Sequence, residues 1–198
     1  MDEPVPPVET DQEMGEFDAE VGRKLRRFRR AADKTIQQVA NETGLSVSFI
    51  SQIERGRSTP SLASFCRLCR ALGASTDTLL GLADQTQPVT RKGERTAFSL
   101  GDKDRFYEKL GPGFPGAIIN ACLVYRPPGH ASELFSHEGE EFVYLLEGEI
   151  TYQLDGTKYF LHAGDTLHFQ SIRQHISTVG DKPAVELWVG TMPLYDGG

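Results

Sequence analysis

The chain has 198 residues, of which 38% are hydrophobic and 25% are charged, and its formal net charge is -7. These values are ordinary for a globular protein, and no apolar run is long enough to cross a bilayer, so the sequence argues against a membrane-spanning protein. The three cysteines cannot all pair within one chain, which argues against a disulfide framework and favours a cytoplasmic location.

The charges are unevenly distributed along the chain. Residues 1–19 carry seven acidic residues and no basic ones, residues 20–82 carry eleven Lys and Arg against five Asp and Glu, and residues 83–198 carry ten against sixteen. Since phosphate affinity follows the local field, the basic segment indicates a module that binds a polyanion. The acidic, proline-containing residues 1–19 lack the basic start and apolar core of a secretory signal, and we expect them to be disordered.

Up to Leu82 the apolar residues recur with helical spacing, and turn signals divide this segment into five predicted helices. The first covers about residues 17–32, with Val21, Leu25 and Phe28 on its buried side. The other four are predicted from capping residues and glycines. They cover residues 36–42 after the N-cap Thr35, residues 47–55 after the N-cap Ser46, residues 60–73 beginning at Pro60 and Ser61, and a last segment beginning at Ser75 or Thr76.

The second and third predicted helices form a helix-turn-helix pair. Ala40 is small where the helices cross, Gly44 supplies the turn, and apolar side chains such as Val39 and Ile50 fill the contact. In this arrangement the second helix of the pair enters the major groove, and its N-terminal residues meet base edges. The exposed side of that helix carries Val47, Ser48, Ser51 and Gln52.

The segment from residue 36 to residue 62, with its run ISQIERGRSTPS, resembles the lambda-repressor-like (Xre family) helix-turn-helix domain over about residues 20–82. The resemblance implies that Ser48 and Gln52 read bases, since a Gln amide can pair with an adenine edge. It also implies a set of phosphate contacts through side chains or a helix N-terminus, made by Gln37, Arg55, Arg57 and Ser58. The alternative is a helical unit that serves only as an interaction module.

Two further features of the basic segment have a structural and a functional interpretation. The cluster RKLRRFRR is either a solvated helix face or a surface that approaches DNA. Cys66 and Cys69 have the spacing of half a zinc site, but no second pair lies nearby. The spacing of Phe65, Leu68, Cys69 and Leu72 instead suits a buried helical stripe. We therefore predict that the two cysteines pack in the core.

Residues 83–97 are polar with little periodicity and are predicted to form a linker. From Phe98 onward the pattern changes to short segments rich in β-branched and aromatic residues, separated by Gly, Pro or Asp turns. The pair Asp155 and Gly156 between two such segments predicts a hairpin. Many short strands at regular spacing indicate a sandwich or barrel. The expected fold is thus an α+β multidomain chain, all-α over residues 20–82 and all-β over residues 98–198.

The runs HEGEEFVYLLEGEI and GDTLHFQSIRQH give the all-β half a resemblance to the cupin family, whose members are double-stranded β-helix or jelly-roll barrels. The residues at the spacings of its two motifs are Gly129, Phe135, His137, Glu141 and Gly148, followed by Gly164, Gln170, Ile172, His175 and Val179. Phe135 stands where the family has the first histidine of its usual four-ligand set. The resemblance therefore implies a reduced metal site made of His137, Glu141 and His175.

Two imidazoles and one carboxylate on one side of an ion leave positions open, which suits non-heme iron and also Mn, Ni, Co or Zn. His137 and Glu141 are four apart, so on an extended strand they would share a face. The alternative is a barrel that keeps the motif without an ion and binds an organic ligand. For the ligand pocket we predict Phe135, Tyr125 and Arg173.

The other charged side chains of this half are predicted to be solvated or hydrogen-bonded, because a charge is not buried unpaired. This group comprises Glu138, Glu140, Glu147, Glu149, His130, His162 and His168. Arg126 and Arg173 can form salt bridges with an anionic ligand at the barrel mouth, although an exposed salt bridge within the protein is the default.

These resemblances imply two functions of different classes. The first is a sequence-specific DNA-binding transcriptional regulator whose cupin domain senses a small molecule, a metal or both, and which binds a palindromic operator as a homodimer. The second is an iron enzyme, because the same architecture occurs in a mononuclear iron epoxidase acting on a hydroxyalkyl phosphonate. The recognition helix and the basic head favour the regulator, and a noncatalytic binding protein is a third alternative.

Overall fold

The computed structural model describes residues 11–74, 79, 87–95, 97–100, 105–112 and 117–191, with the side chains of residues 11–15 left out. The chain divides into two compact units, one helical and one made of β-strands, with the division near residue 83. This confirms the predicted α+β architecture. Among the described residues, no helix combines the length and the apolar character that crossing a bilayer requires.

The described part of the helical unit contains α1 (Asp11–Ala31), α2 (Ile36–Thr43), α3 (Val47–Ile53) and α4 (Leu62–Leu72). The described helices number four rather than the predicted five, because the fifth falls outside the described residues except at Leu79. A second correction concerns residues 11–19, which were expected to be disordered and are helical.

The predicted caps fix the starts of the three shorter helices. The side chain of Thr35 accepts a hydrogen bond from the backbone of Gln38 and forms a capping box with it. Ser46 and Ser61 accept equivalent hydrogen bonds at the starts of α3 and α4. Gly44 ends α2 with a φ of +70°, a conformation that glycine adopts without a Cβ penalty. Helix α3 ends two residues before the predicted residue 55.

Side chains from all four helices fill the core of the helical unit. Its largest buried members include Leu25, Val39, Ile50, Ile53, Phe65 and Leu68. Phe28, which was expected in this core, is only half-buried. Cys66 and Cys69 are buried in α4, and burial together with the neighbouring Cys66 raises the pKa of the Cys69 thiol well above its ordinary value. Both cysteines are therefore packed in the core, as predicted.

Nine strands lie in the described part of the β unit, all paired antiparallel. They are β1 (Ala97–Ser99), β2 (Phe106–Lys109), β3 (Asn120–Arg126), β4 (Glu140–Glu147), β5 (Glu149–Leu154), β6 (Thr157–His162), β7 (Thr166–Gln170), β8 (His175–Val179) and β9 (Ala184–Gly190). Six form one sheet in the order β1-β2-β3-β9-β4-β7, and three form a second in the order β6-β5-β8. Buried side chains from both sheets meet in one core, among them Val143, Ile150, Leu161 and Val179.

The predicted hairpin is present between β5 and β6. Leu154 and Thr157 are paired, so Asp155 and Gly156 form a two-residue turn. Both turn residues have positive φ, 49° and 86°, as the tight turn that suits the strand twist requires.

Candidate metal centre and DNA-facing surface

Helix α3 exposes the side chains that were predicted to read bases. Ile50 and Ile53 are buried, whereas Val47, Ser48 and Gln52 are exposed. Ser51 is half-buried. The amide of Gln52 makes no hydrogen bond to any residue that the structure describes, so both its donor and its acceptor are available to a base edge.

The side chains predicted to hold phosphates are also accessible. Arg57 and Gln37 are exposed, and Ser58 is half-buried. The guanidinium of Arg55 donates to the backbone oxygen of Ser51 at 2.9 Å and to its Oγ at 2.8 Å. Arg55 is therefore held against the exposed side of α3, where its charge favours a polyanion.

A buried ion pair ties the end of α1 to the end of α3. The Nε and Nη2 atoms of Arg29 donate to the two carboxylate oxygens of Glu54 at 2.5 and 2.9 Å, and Nη1 donates to the backbone oxygen of Lys34 at 2.8 Å. The hydrogen bond to Glu54 raises the pKa of Arg29 above its ordinary value. Bidentate pairs of this kind fix geometry as well as supplying energy, so the pair fixes the position of α3 relative to α1.

In the β unit, the three predicted metal ligands lie together. One ligand atom from each of His137, Glu141 and His175 lies within 4.8 Å of the other two, and all three residues are buried. Glu141 faces the core because β4 alternates, with Glu141, Val143 and Leu145 buried. His175 begins β8 in the other sheet. The triad thus joins the two sheets.

His137 reaches the triad from the connection before β4, and not from the strand itself as expected. Its backbone N–H donates to the oxygen of Ser171 at 2.9 Å. The intervening Gly139 has a φ of +103°, and a Cβ there would lie 2.8 Å from the backbone oxygen of Thr191. A tight glycine turn therefore brings the imidazole against Glu141, where a regular strand was predicted.

The ring nitrogens of both histidines are oriented by backbone oxygens. Nδ1 of His137 lies 2.8 Å from the oxygen of Glu138, and Nδ1 of His175 lies 2.8 Å from the oxygen of Arg173. A carbonyl oxygen only accepts, so each Nδ1 carries a proton. Each Nε2 faces the triad, where it donates to Glu141 when it is protonated and can bind a metal when it is not. Ligating histidines in metalloproteins are oriented in this way. The donor set and its surroundings therefore fit a divalent transition metal.

Glu141 receives hydrogen bonds on both carboxylate oxygens. Oε1 lies 2.7 Å from Nε2 of His137 and 3.4 Å from Nε2 of His175, while the indole N–H of Trp188 donates to Oε2 at 2.8 Å. Burial raises the pKa of this carboxyl group, but the hydrogen bonds from His137 and Trp188 and the charge of His175 outweigh it and lower the pKa overall. The group is therefore held as a carboxylate, the form that binds metal.

Aromatic rings surround the triad. The ring of Phe135 lies 4.8 Å from that of His137 and 5.9 Å from that of His175, and the ring of Phe169 lies 5.2 Å from that of His175. Phe135 thus lies beside the two histidines of the triad. The two phenylalanine rings therefore form an apolar wall beside the three donors.

The other two predicted pocket residues lie elsewhere. Tyr125 alternates with the buried Val124 and Arg126 on β3, so it lies on the face of the sheet that points away from the core. Arg173 donates through Nε to Asp155 at 2.6 Å, beside the hairpin turn, and this hydrogen bond lowers the pKa of Asp155. The pocket predictions for Tyr125 and Arg173 are therefore wrong. Tyr125 lies on the opposite face of its strand, and Arg173 pairs with Asp155 instead of lining a pocket.

The predicted solvated groups are placed as expected. The four glutamates Glu138, Glu140, Glu147 and Glu149 are exposed, as are His162 and His168. His130 is buried, with its Nε2 atom 3.1 Å from Nη1 of Arg105. These histidines therefore serve surface or hydrogen-bonding roles outside the triad.

A second polar cluster inside the barrel had not been predicted. Arg126 donates through Nε and Nη2 to Oε1 of Glu186 at 2.8 and 2.5 Å, and the hydroxyl of Tyr152 donates to Oε2 at 2.9 Å. Burial opposes the charge of Arg126, but the carboxylate outweighs it and raises the pKa of Arg126 above its ordinary value. Arg126 is thus in a buried ion pair, not at the barrel mouth.

Trp188 and Phe169 complete the site and were missed by the sequence interpretation. Both lie on strands whose apolar pattern was recognised, but only the pairing of β4 with β9 and with β7 brings them near the triad. The available signal was that the chain's single tryptophan lies in an apolar strand-like segment.

Comparison with known proteins gives matches for both units. A helix-turn-helix domain model matches residues 20–81, and a cupin domain model matches residues 122–190. The HTH-type transcriptional regulator PuuR of Escherichia coli (strain K12) is 24% identical over 147 residues, which cover 73% of this chain and 80% of PuuR. The uncharacterized HTH-type transcriptional regulator y4dJ of Sinorhizobium fredii (strain NBRC 101917 / NGR234) is 35% identical over 71 residues, 36% of this chain and 92% of that protein.

A solved structure has the same fold. The crystal structure of an HTH_3 family transcriptional regulator from Vibrio cholerae superposes with a TM-score of 0.71 and 22% sequence identity. The match covers 89% of this chain and 97% of the other. The combination of a helical unit and a cupin barrel is therefore that of a known architecture.

Proposed function

The chain belongs to the helix-turn-helix transcriptional regulators and carries a cupin domain, and from this premise we propose that it binds a specific DNA operator through α3 while its barrel senses a divalent metal, a small molecule or both. The DNA-binding domain spans residues 20–82, a linker spans residues 83–97 and the sensor spans residues 98–198. The observation that supports the DNA-binding role best is the exposed side of α3, where the Gln52 amide has no hydrogen bond to a described residue.

The DNA contacts divide into two groups with different physical consequences. Ser48 and Gln52 read base edges in the major groove, with Val47 and Ser51 beside them on the same helix. Gln37, Arg55, Arg57 and Ser58 hold phosphates and set the register on the duplex. Losing a base contact lowers discrimination between sequences, whereas losing a phosphate contact weakens binding to all sequences alike.

The sensor function rests on the buried triad. His137, Glu141 and His175 hold one divalent ion (Fe, Mn, Ni, Co or Zn), and Phe135 borders the space beside it. A bound ion supplies a Lewis-acidic centre with open positions, on which an oxygen or nitrogen atom of an effector can bind. An effector alters DNA binding only if its affinity differs between the two DNA-binding states of the protein.

The functional unit is a homodimer on a palindromic operator in the cytoplasm. Two copies related by a two-fold axis place two α3 helices about one turn of DNA apart, which matches two half-sites. The net charge of +6 over residues 20–82, within an otherwise acidic chain, concentrates the attraction for DNA on the helical unit.

The test is binding to the DNA upstream of the protein's own gene, measured over a range of salt concentrations. We expect Gln52→Ala to reduce discrimination against mutated operators by about 1–3 kcal/mol and to leave the salt dependence unchanged. Arg57→Ala should weaken binding to all sequences and reduce the salt slope by about one. Arg70→Ala removes an exposed arginine of α4 that is not among the proposed DNA contacts, and it is the matched control.

One combined result would contradict the proposed regulator function. In that result, DNA binding depends on salt but not on DNA sequence, and Gln52→Ala does not change it. If the protein also consumes O2 only when Fe(II) is added, the result would support the iron enzyme instead.

A further inference from the structure

We infer that Trp188 is a positioning residue that restricts Glu141 to one metal-binding oxygen. The inference deepens the proposed sensor function and rests on it. The two carboxylate oxygens have different partners, since Oε2 accepts the indole N–H at 2.8 Å while Oε1 lies between the Nε2 atoms of His137 and His175 at 2.7 and 3.4 Å. Only Oε1 is directed at the place where the two imidazole nitrogens converge.

The indole N–H is suited to this role because it donates and cannot accept. A hydrogen bond to a charged carboxylate is about twice as strong as one between neutral groups. Without that donor, a glutamate beside an ion can rotate and bind through both oxygens, which occupies a further position on the metal. With it, Glu141 contributes one oxygen, and the remaining positions stay open to an exogenous ligand.

The indole is itself held in place by the barrel. Trp188 lies on β9 between Cys122 of β3 and Val143 of β4 in the sheet register. A Cβ on the neighbouring Gly190 would lie 2.5 Å from the indole atoms Cη2 and Cζ2. Gly190 therefore provides the space that the ring occupies, and Gly190 is also the register partner of Glu141. The indole and the carboxylate it orients are thus placed by the same pair of strands.

The test uses the purified full-length chain, Co(II) as the metal, and two variants. Trp188→Phe removes the donor and keeps an aromatic ring, whereas Gly190→Ala keeps the donor and displaces the ring. In both we expect Co(II) affinity to fall roughly 10- to 100-fold. We also expect the visible absorption of the bound Co(II) to change, because a second carboxylate oxygen enters the coordination sphere. Circular dichroism of the metal-free proteins checks that each variant folds.

The outcomes separate this inference from the function on which it rests. If wild-type protein binds Co(II) and Trp188→Phe binds it with the same affinity and the same spectrum, Trp188 does not position the ligand and only this inference fails. If wild-type protein binds no Co(II), the metal-sensing function and this inference both fail. A change in the Co(II) absorption spectrum of both Trp188→Phe and Gly190→Ala supports the inference that Trp188 positions Glu141. A general loss of stability would lower the Co(II) affinity without altering the coordination of the ion that remains bound.

Discussion

Phe135 and His175 hydrogen-bond to each other through their backbones, with each N–H donating to the other's carbonyl oxygen at 2.9 Å. This isolated antiparallel bridge fixes the Phe135 ring beside both imidazoles of the triad, 4.8 Å from His137 and 5.9 Å from His175. The residue at the motif position of the missing histidine therefore lies beside the proposed metal ligands His137 and His175.

Phe135→His should restore that ligand. A third imidazole at this position can reach an ion held by the triad, so we expect affinity for Ni(II) or Co(II) to rise at least about tenfold, or about 1.4 kcal/mol. Isothermal titration calorimetry measures the change. Phe135→Leu removes the ring without adding a donor and is the control, with an affinity expected to stay close to that of wild type. Equal affinities for Phe135→His and Phe135→Leu would show that the side chain points away from the ion.

The Arg29–Glu54 pair should contribute measurably to the stability of the helical unit. Both side chains are largely buried, so Glu54→Gln leaves the charge of Arg29 without its counterion. We expect the free energy of unfolding to fall by about 2–3 kcal/mol in urea denaturation. Glu20→Gln makes the same chemical change in the exposed pair with Lys24 and should cost less than about 1 kcal/mol. Similar losses of stability in Glu54→Gln and Glu20→Gln would contradict a stabilising role of the Arg29–Glu54 pair.

The buried pair of Arg126 and Glu186 should show strong energetic coupling. Arg126→Met or Glu186→Leu alone leaves a buried charge unpaired, so each should cost about 3–5 kcal/mol of stability. The double variant removes both charges, and we expect it to cost less than the sum of the two single losses. Chemical denaturation of the four proteins gives the coupling energy. Additive losses would mean that the two side chains act independently.

Local signals predicted much of the fold because they act over a few residues. Thr35, Ser46 and Gly44 define helix ends through hydrogen bonds to near neighbours, and Asp155 with Gly156 define a hairpin in the same way. Each of these features depends only on short-range chemistry. Their predictions were therefore correct to within one or two residues.

The predictions that were wrong or missing depend on strand register. Whether Tyr125 faces the core is set by its parity relative to Val124, and a shift of one residue reverses the answer. The hydrogen bond from Trp188 to Glu141 joins strands that are distant in sequence, and so does the pair of Arg126 and Glu186. The cluster of His137, Glu141 and His175 could be predicted without knowledge of the strand register only because the family motif specifies these positions.

The N-cap of α3 allows stability and DNA binding to be separated. Ser46 accepts a hydrogen bond from the backbone N–H of Phe49 at 3.1 Å, and its Oγ lies 3.1 Å from that of Ser48. Ser46→Ala removes the cap and should lower the free energy of unfolding by about 1 kcal/mol. Ser46→Asp keeps the cap, so its stability should stay near that of wild type. Its negative charge at the end of α3 that we propose meets DNA should weaken operator binding, less so at high salt. Denaturation and operator titration of both variants test this, and an Asp variant that binds DNA as well as wild type would place the start of α3 away from the phosphates.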